Sequence, residues 1–152
     1  MCIRDSPRHV GREAGQSDLP LEPGLRDALA ECSLHGAAAD VPGTMAALDL
    51  ALYVPLESDG MSRVVFEYLA AGCPLLASRV GVVPEVLVDG EHAALVPAGD
   101  AAALAAGLAR LLDDADRRRR LGEAGRRLVL ERYSGARLAA ALEAHYARLT
   151  AA

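Results

Sequence analysis

Leu50-Ala-Leu-Tyr-Val54, Asp59-Gly-Met-Ser-Arg-Val-Val-Phe-Glu67 and Pro74-Leu-Leu-Ala-Ser78 follow one another within thirty residues and decide the fold. The first is a short apolar run and reads as a buried strand. The second opens on an acid and a glycine, so it leaves that strand as a loop. From Val64 to Ala71 it becomes a helix, with Ser62 as its N-cap. Gly72 ends the helix as a C′ glycine, and Pro74 starts the next buried strand. Strand, loop, helix, strand is the unit of a parallel sheet with crossover helices. Ligands of such sheets bind beyond the carboxyl ends of the strands, where the 55–62 loop lies. The helix is apolar on nearly every face apart from Glu67. A buried, unpaired carboxylate costs several kcal/mol. Glu67 is therefore expected to meet either a cation such as Arg79 or a ligand's hydroxyls.

Upstream, Met1 to Ser6 reads as a non-native leader and is set aside from the fold, leaving 7–152 as the domain. Two prolines and a glycine make 19–24 a loop. Leu25 to Cys32 reads as a helix, and Ser33-Leu-His-Gly36 as a strand ending at a glycine. A turn over 37–44 and a short helix over 45–48 lead to Asp49. Downstream, Pro84-Glu85 starts a short helix. Asp89-Gly90 is a turn, and 93–96 is the last strand. From Asp100, an N-cap, the chain is helical. Leu104, Leu108 and Leu111 recur at helical spacing. A second helix runs to about Arg132, and Ser134 caps a third carrying Leu138, Leu142, Tyr146 and Leu149.

The chain has 152 residues, 52% apolar and 24% charged, which suits one domain with a core. Aromatics are 3%, and Lys and Asn do not occur, so the core must be Ala, Leu and Val. A net charge of −5 offers no electrostatic case for nucleic acid or an anionic membrane. Cys2, Cys32 and Cys73 are odd in number and lack metal spacing; they read as reduced thiols of a cytoplasmic protein. No apolar run is long enough to span a membrane.

Two acids separated by seven residues, followed by Ala70-Ala-Gly-Cys-Pro-Leu-Leu-Ala-Ser78, Gly81-Val-Val-Pro-Glu85, Val88-Asp-Gly-Glu91 and Leu95-Val-Pro-Ala-Gly-Asp100, resemble the acidic signature of retaining GT-B glycosyltransferases. The closest group is family 4 (glycosyl transferases group 1), and the resemblance runs from about residue 34 to 149. It implies an α/β fold: the Rossmann-like parallel sheet, flanked by helices, of a C-terminal donor domain truncated at its N-terminus. It implies a nucleotide-diphosphate sugar as donor, retention of configuration, and neither cofactor nor catalytic metal. Glu67 would hold the ribose hydroxyls, which suit a carboxylate accepting two charge-assisted bonds. Asp59, where relatives usually carry Glu, would orient the sugar. The backbone at Gly60, Met61, Ser62 and Arg63 would line the diphosphate and sugar path, and His35 and Gly36 would border the base.

Each of these has a plainer reading. Asp59 suits a turn before glycine, the 60–63 segment a simple helix entry, and His35 a packing position. His92 and His145 read as surface residues. Asp114-Ala-Asp116 matches the Asp-x-Asp metal motif of the GT-A fold, but no strand precedes it, and acids at a helix start answer the dipole. Arg117 to Arg120 reads as a solvated helix face rather than a phosphate or lipid site. Gly81-Val-Val-Pro-Glu85 lacks the family's second glycine, and Ala93-Ala94 stands where a glycine is common. The implied Arg–Lys pyrophosphate clamp and the acceptor-binding N-terminal domain are not in these residues. The chain therefore reads as part of a longer transferase, inactive alone, with peripheral membrane contact left to the absent half. A rival reading is a non-catalytic docking module. A nicotinamide site is set aside because no Gly-x-Gly-x-x-Gly follows a strand.

Overall fold

The computed structural model describes residues 38–58, 60 and 62–150, together with the two-residue strand at 2–3. His35, Gly36, Asp59 and Met61 lie outside the described residues, as do the helix and strand expected over 25–36. In chain order the elements are β1 (Cys2–Ile3), α1 (Val41–Ala46), β2 (Leu50–Tyr53), α2 (Arg63–Ala70), β3 (Leu75–Ser78), α3 (Val83–Val86), β4 (Ala94–Val96), α4 (Ala101–Asp113), α5 (Ala115–Arg132) and α6 (Gly135–Thr150). The sheet order is β1-β2-β3-β4. β2, β3 and β4 are parallel, with Tyr53 opposite Ala77 and Ser78 opposite Val96. This is the expected Rossmann-like parallel sheet flanked by helices. Cys2–Ile3, set aside in the sequence, adds an antiparallel edge strand to β2. An open strand edge carries unpaired N–H and C=O groups that a short extended segment can satisfy.

Both faces of the sheet are covered, which is why its strands read as unbroken apolar runs. Ala51, Leu75, Ala77 and Leu95 face one cluster with Val65, Tyr68 and Leu69 of α2, Val83 of α3, and Leu128 and Val129 of α5. Leu50, Leu52, Leu76, Ala94 and Val96 face the other, with Leu111 of α4 and Leu121 of α5. Residues two apart along a strand thus meet the same layer. The Cys73 thiol is buried and donates to the Pro74 and Leu48 carbonyls at 3.5 and 3.8 Å.

Gly72, with φ +75°, ends α2 in the left-handed conformation expected of a C′ glycine. α5 packs against this end. Arg126 Nη1 donates to the Ala70 carbonyl at 2.5 Å, and Gly122 lies so close that a Cβ there would run into the Gly72 oxygen. Asp100 caps α4 by accepting the Ala103 amide at 2.8 Å. α1 starts at Val41, four residues before the expected helix. Pro42-Gly43 suggests a turn, yet the Asp40 carboxylate accepts the Gly43 amide at 3.0 Å, and proline is tolerated in a first helical turn. α6 begins behind Ser134 as expected, but none of its residues is buried.

Candidate functional site

β2 and β3 are paired to their carboxyl ends, so the chain segments leaving them start as neighbours. After β2, Ser58 Oγ accepts the Gly60 amide at 3.3 Å, and Gly60 takes φ +88°. After β3, Gly81 takes φ +54° and lies against that loop. A Cβ on it would stand 2.7 Å from Ser58 Oγ and 3.3 Å from the Gly60 oxygen. Only glycine meets both demands. Val82, where a second glycine is usual, has φ −68° and ψ −19°, ordinary right-handed backbone open to any residue. Ala93 and Ala94 likewise have negative φ and are buried. These departures therefore leave the local backbone unstrained.

The loop delivers the chain into α2. Ser62 occupies the N-cap position with φ −73° and ψ 106°, but its hydroxyl makes no capping bond. The first-turn N–H groups of α2 thus have no side-chain acceptor among the described residues, and they carry the positive end of the helix dipole.

Glu67 is exposed rather than buried. α2 buries Val65, Tyr68 and Leu69 and leaves Val64 and Phe66 half-buried, so its outer stripe is Arg63 and Glu67. Counting apolar residues around the helix hides that stripe. No cation holds Glu67 among the described residues. Arg79 instead pairs with Asp89 at 2.6 Å, and the other Asp89 oxygen accepts the Leu95 amide at 2.9 Å. Glu67 and Arg63 are one turn apart on the same side of the helix, yet they form no ion pair with each other.

The remaining sequence candidates have structural duties. Asp114 caps α5 by accepting the Arg117 amide at 2.8 Å. Asp116 accepts from Arg119 at 2.8 Å, and this hydrogen bond and its charge hold the carboxyl below its ordinary pKa. Of the arginine run, Arg118 also closes the end of α4 by donating to the Leu111 and Leu112 carbonyls at 2.5 and 2.7 Å. His145 is exposed as expected, whereas His92 is half-buried, its Nδ1 accepting the Val88 amide at 3.2 Å. The sequence reading missed Ser58, whose only signal was its place two residues before Gly60.

Residues 9–114 match the family described as Glycosyl transferases group 1. An MMP alpha-(1->4)-mannosyltransferase of Mycolicibacterium hassiacum is 42% identical over 99 residues, covering 64% of this chain and 24% of that protein. Sucrose-phosphate synthase from Thermosynechococcus elongatus superposes with a TM-score of 0.61 at 30% identity, over 71% of this chain and 27% of that one. Anabaena HepE, solved in complex with UDP-glucose, superposes with a TM-score of 0.68 at 21% identity, over 80% of this chain and 36% of that one. The chain thus spans about a quarter of the length of the first curated relatives it matches.

Proposed function

Because the chain belongs to the glycosyl transferases group 1 family, we propose that it is the donor-binding part of a retaining family 4 glycosyltransferase, taking a nucleotide-diphosphate sugar without a catalytic metal. The observation that carries this reading is one arrangement at the carboxyl ends of β2 and β3. Amides with no side-chain cap among the described residues open α2 behind a loop propped by Gly81, and Glu67 stands exposed one turn further on, with no partner among the described residues. Arg63 and Glu67 are four residues apart, about 6 Å along a helix. That spacing lets the amides meet a diphosphate while the carboxylate accepts two ribose hydroxyls of the same nucleotide. Asp59 would orient the sugar, and Gly60, Met61, Ser62 and Arg63 would line its path, with His35 and Gly36 at the base.

The reaction needs negative charge stabilised on the departing diphosphate. Amides already oriented at a helix start do this without reorganisation. The donor complex of HepE supports a nucleotide sugar as ligand. A second domain would bring the acceptor, and the reaction would take place in the cytoplasm. The test is an NMR titration of the ¹⁵N-labelled chain with UDP, GDP and UDP-glucose. Saturable shifts over 60–67 are expected; none with any of the three overturns the assignment.

A further inference from the structure

Among the described residues Ser78 is the buried polar residue of the sheet, 2% exposed, and its hydroxyl bonds no other described group. Strand alternation places it with Leu76 on the α4 face, beside Val96 in register. There the strands end and the layer opens into a cleft of about 210 Å³, lined by Val54, Leu56, Ser78, Pro97, Asp100 and Leu104. No fully buried side-chain oxygen among the described residues lacks a partner, so the Ser78 hydroxyl reaches the cleft, where a ligand's hydroxyl can meet it.

We propose that this cleft is a subsite for one neutral polyhydroxylated ring, a sugar or a cyclitol. The inference rests on the glycosyltransferase reading and adds a position to it. A sugar ring offers an apolar C–H face to Val54, Pro97 and Leu104 and a hydroxyl to Ser78. One Asp100 oxygen is committed to the Ala103 amide, and the other makes no bond among the described residues and is placed to accept a second ring hydroxyl. That carboxylate repels an anion, although a helix start would otherwise attract one. The volume falls below the roughly 300 Å³ at which pockets for drug-sized ligands begin, and suits a single ring.

The ring could belong to the transferred sugar or to the acceptor, and NMR titration of the whole ¹⁵N-labelled chain separates the two. Saturable shifts at Ser78, Ala101 and Ala102 with UDP-glucose or GDP-mannose, but not with free hexoses, assign the cleft to the donor's sugar. The same shifts with free mannose, glucose or myo-inositol assign it to an acceptor ring. Ser78→Ala should weaken either response about fivefold, and Ser78→Thr, which keeps the hydroxyl, should retain it. No shift at these three residues with any probe overturns the proposal, as does a Ser78→Ala response equal to that of the parent chain. Shifts over 60–67 with UDP or GDP, but none in the cleft, would sink this subsite and leave the donor reading standing.

Discussion

A Cβ on Gly81 would stand 2.7 Å from Ser58 Oγ, so the turn leaving β3 props the loop leaving β2. Gly81→Ala is expected to cost about 1–3 kcal/mol, from positive φ and from the contact together. Adding Ser58→Ala should return most of the steric part, the approach to the Gly60 oxygen at 3.3 Å remaining, and leave about 1 kcal/mol of backbone strain. Urea unfolding of the two single variants and the double variant measures this directly. A stable Gly81→Ala chain would mean that the two loops do not touch in solution.

Glu67 gives a sharper contrast between stability and binding. It is exposed and no described group holds it, so Glu67→Gln should change unfolding free energy by no more than about 0.5 kcal/mol. If it holds ribose hydroxyls, the same change should weaken UDP or GDP binding about tenfold, since hydrogen bonds to charged groups contribute about 1.5–3 kcal/mol. Calorimetric titration alongside urea melts decides the matter. Equal affinities would remove Glu67 from the site.

The parallel strands were legible because burial on both faces makes their runs apolar, with the one polar residue of β2–β4 that is buried, Ser78, falling at a strand end where it interrupts nothing. Gly72 and Asp100 were legible because caps are local chemistry. The start of α1 was not, because Pro42-Gly43 signals a turn unless the Asp40 cap is weighed with it. The burial of Glu67 was misjudged because half-buried Val64 and Phe66 count as fully apolar in a sequence. Which acid Arg79 would choose depends on where β4 returns Asp89 to the sheet, and no local pattern encodes that. The contact of Gly81 with Ser58 is likewise tertiary, visible beforehand only as a glycine.

Asp89 joins two elements, and its variants should separate their contributions. Both partners of the Arg79 pair are 44% exposed, so Arg79→Ala should cost at most about 1 kcal/mol. Asp89→Ala also strips the acceptor from the Leu95 amide in β4 and should cost about 1–3 kcal/mol. Asp89→Asn keeps an acceptor and should fall between them. Denaturant midpoints read the order, and an Arg79→Ala change as costly as Asp89→Ala would mean that the ion pair, not the amide bond, is what Asp89 chiefly supplies.

Helix glycines usually gain about 1 kcal/mol on replacement by alanine. Gly122 should do the reverse, because the new Cβ would collide with the Gly72 carbonyl oxygen and α5 would have to move off α2. Overpacking of this kind costs about 1–3 kcal/mol or more, which outweighs the propensity gain. Gly135, at the start of α6 with nothing within 4 Å of a Cβ, is the control. Gly135→Ala should be neutral or slightly stabilising by thermal melt, and Gly122→Ala clearly destabilising.

α6 leans little on the other described elements. Leu138, Leu142, Tyr146 and Leu149 are 47–63% exposed, and the helix buries no residue. At its root Arg137 Nε donates to the Glu131 carbonyl at 2.9 Å, while the Phe66–Tyr133 edge contact that ties α5 to α2 precedes the helix. An isolated helix of 16 residues is marginal in water. Amides of α6 should therefore exchange at least about a hundredfold faster than those of 121–129, whose side chains enter the core. Ending the chain at Ser134 should leave the unfolding free energy of the core within about 0.5 kcal/mol of its parent. Hydrogen exchange and paired urea melts measure both, and a large loss of stability on truncation would show that α6 is held by contacts absent from this structure.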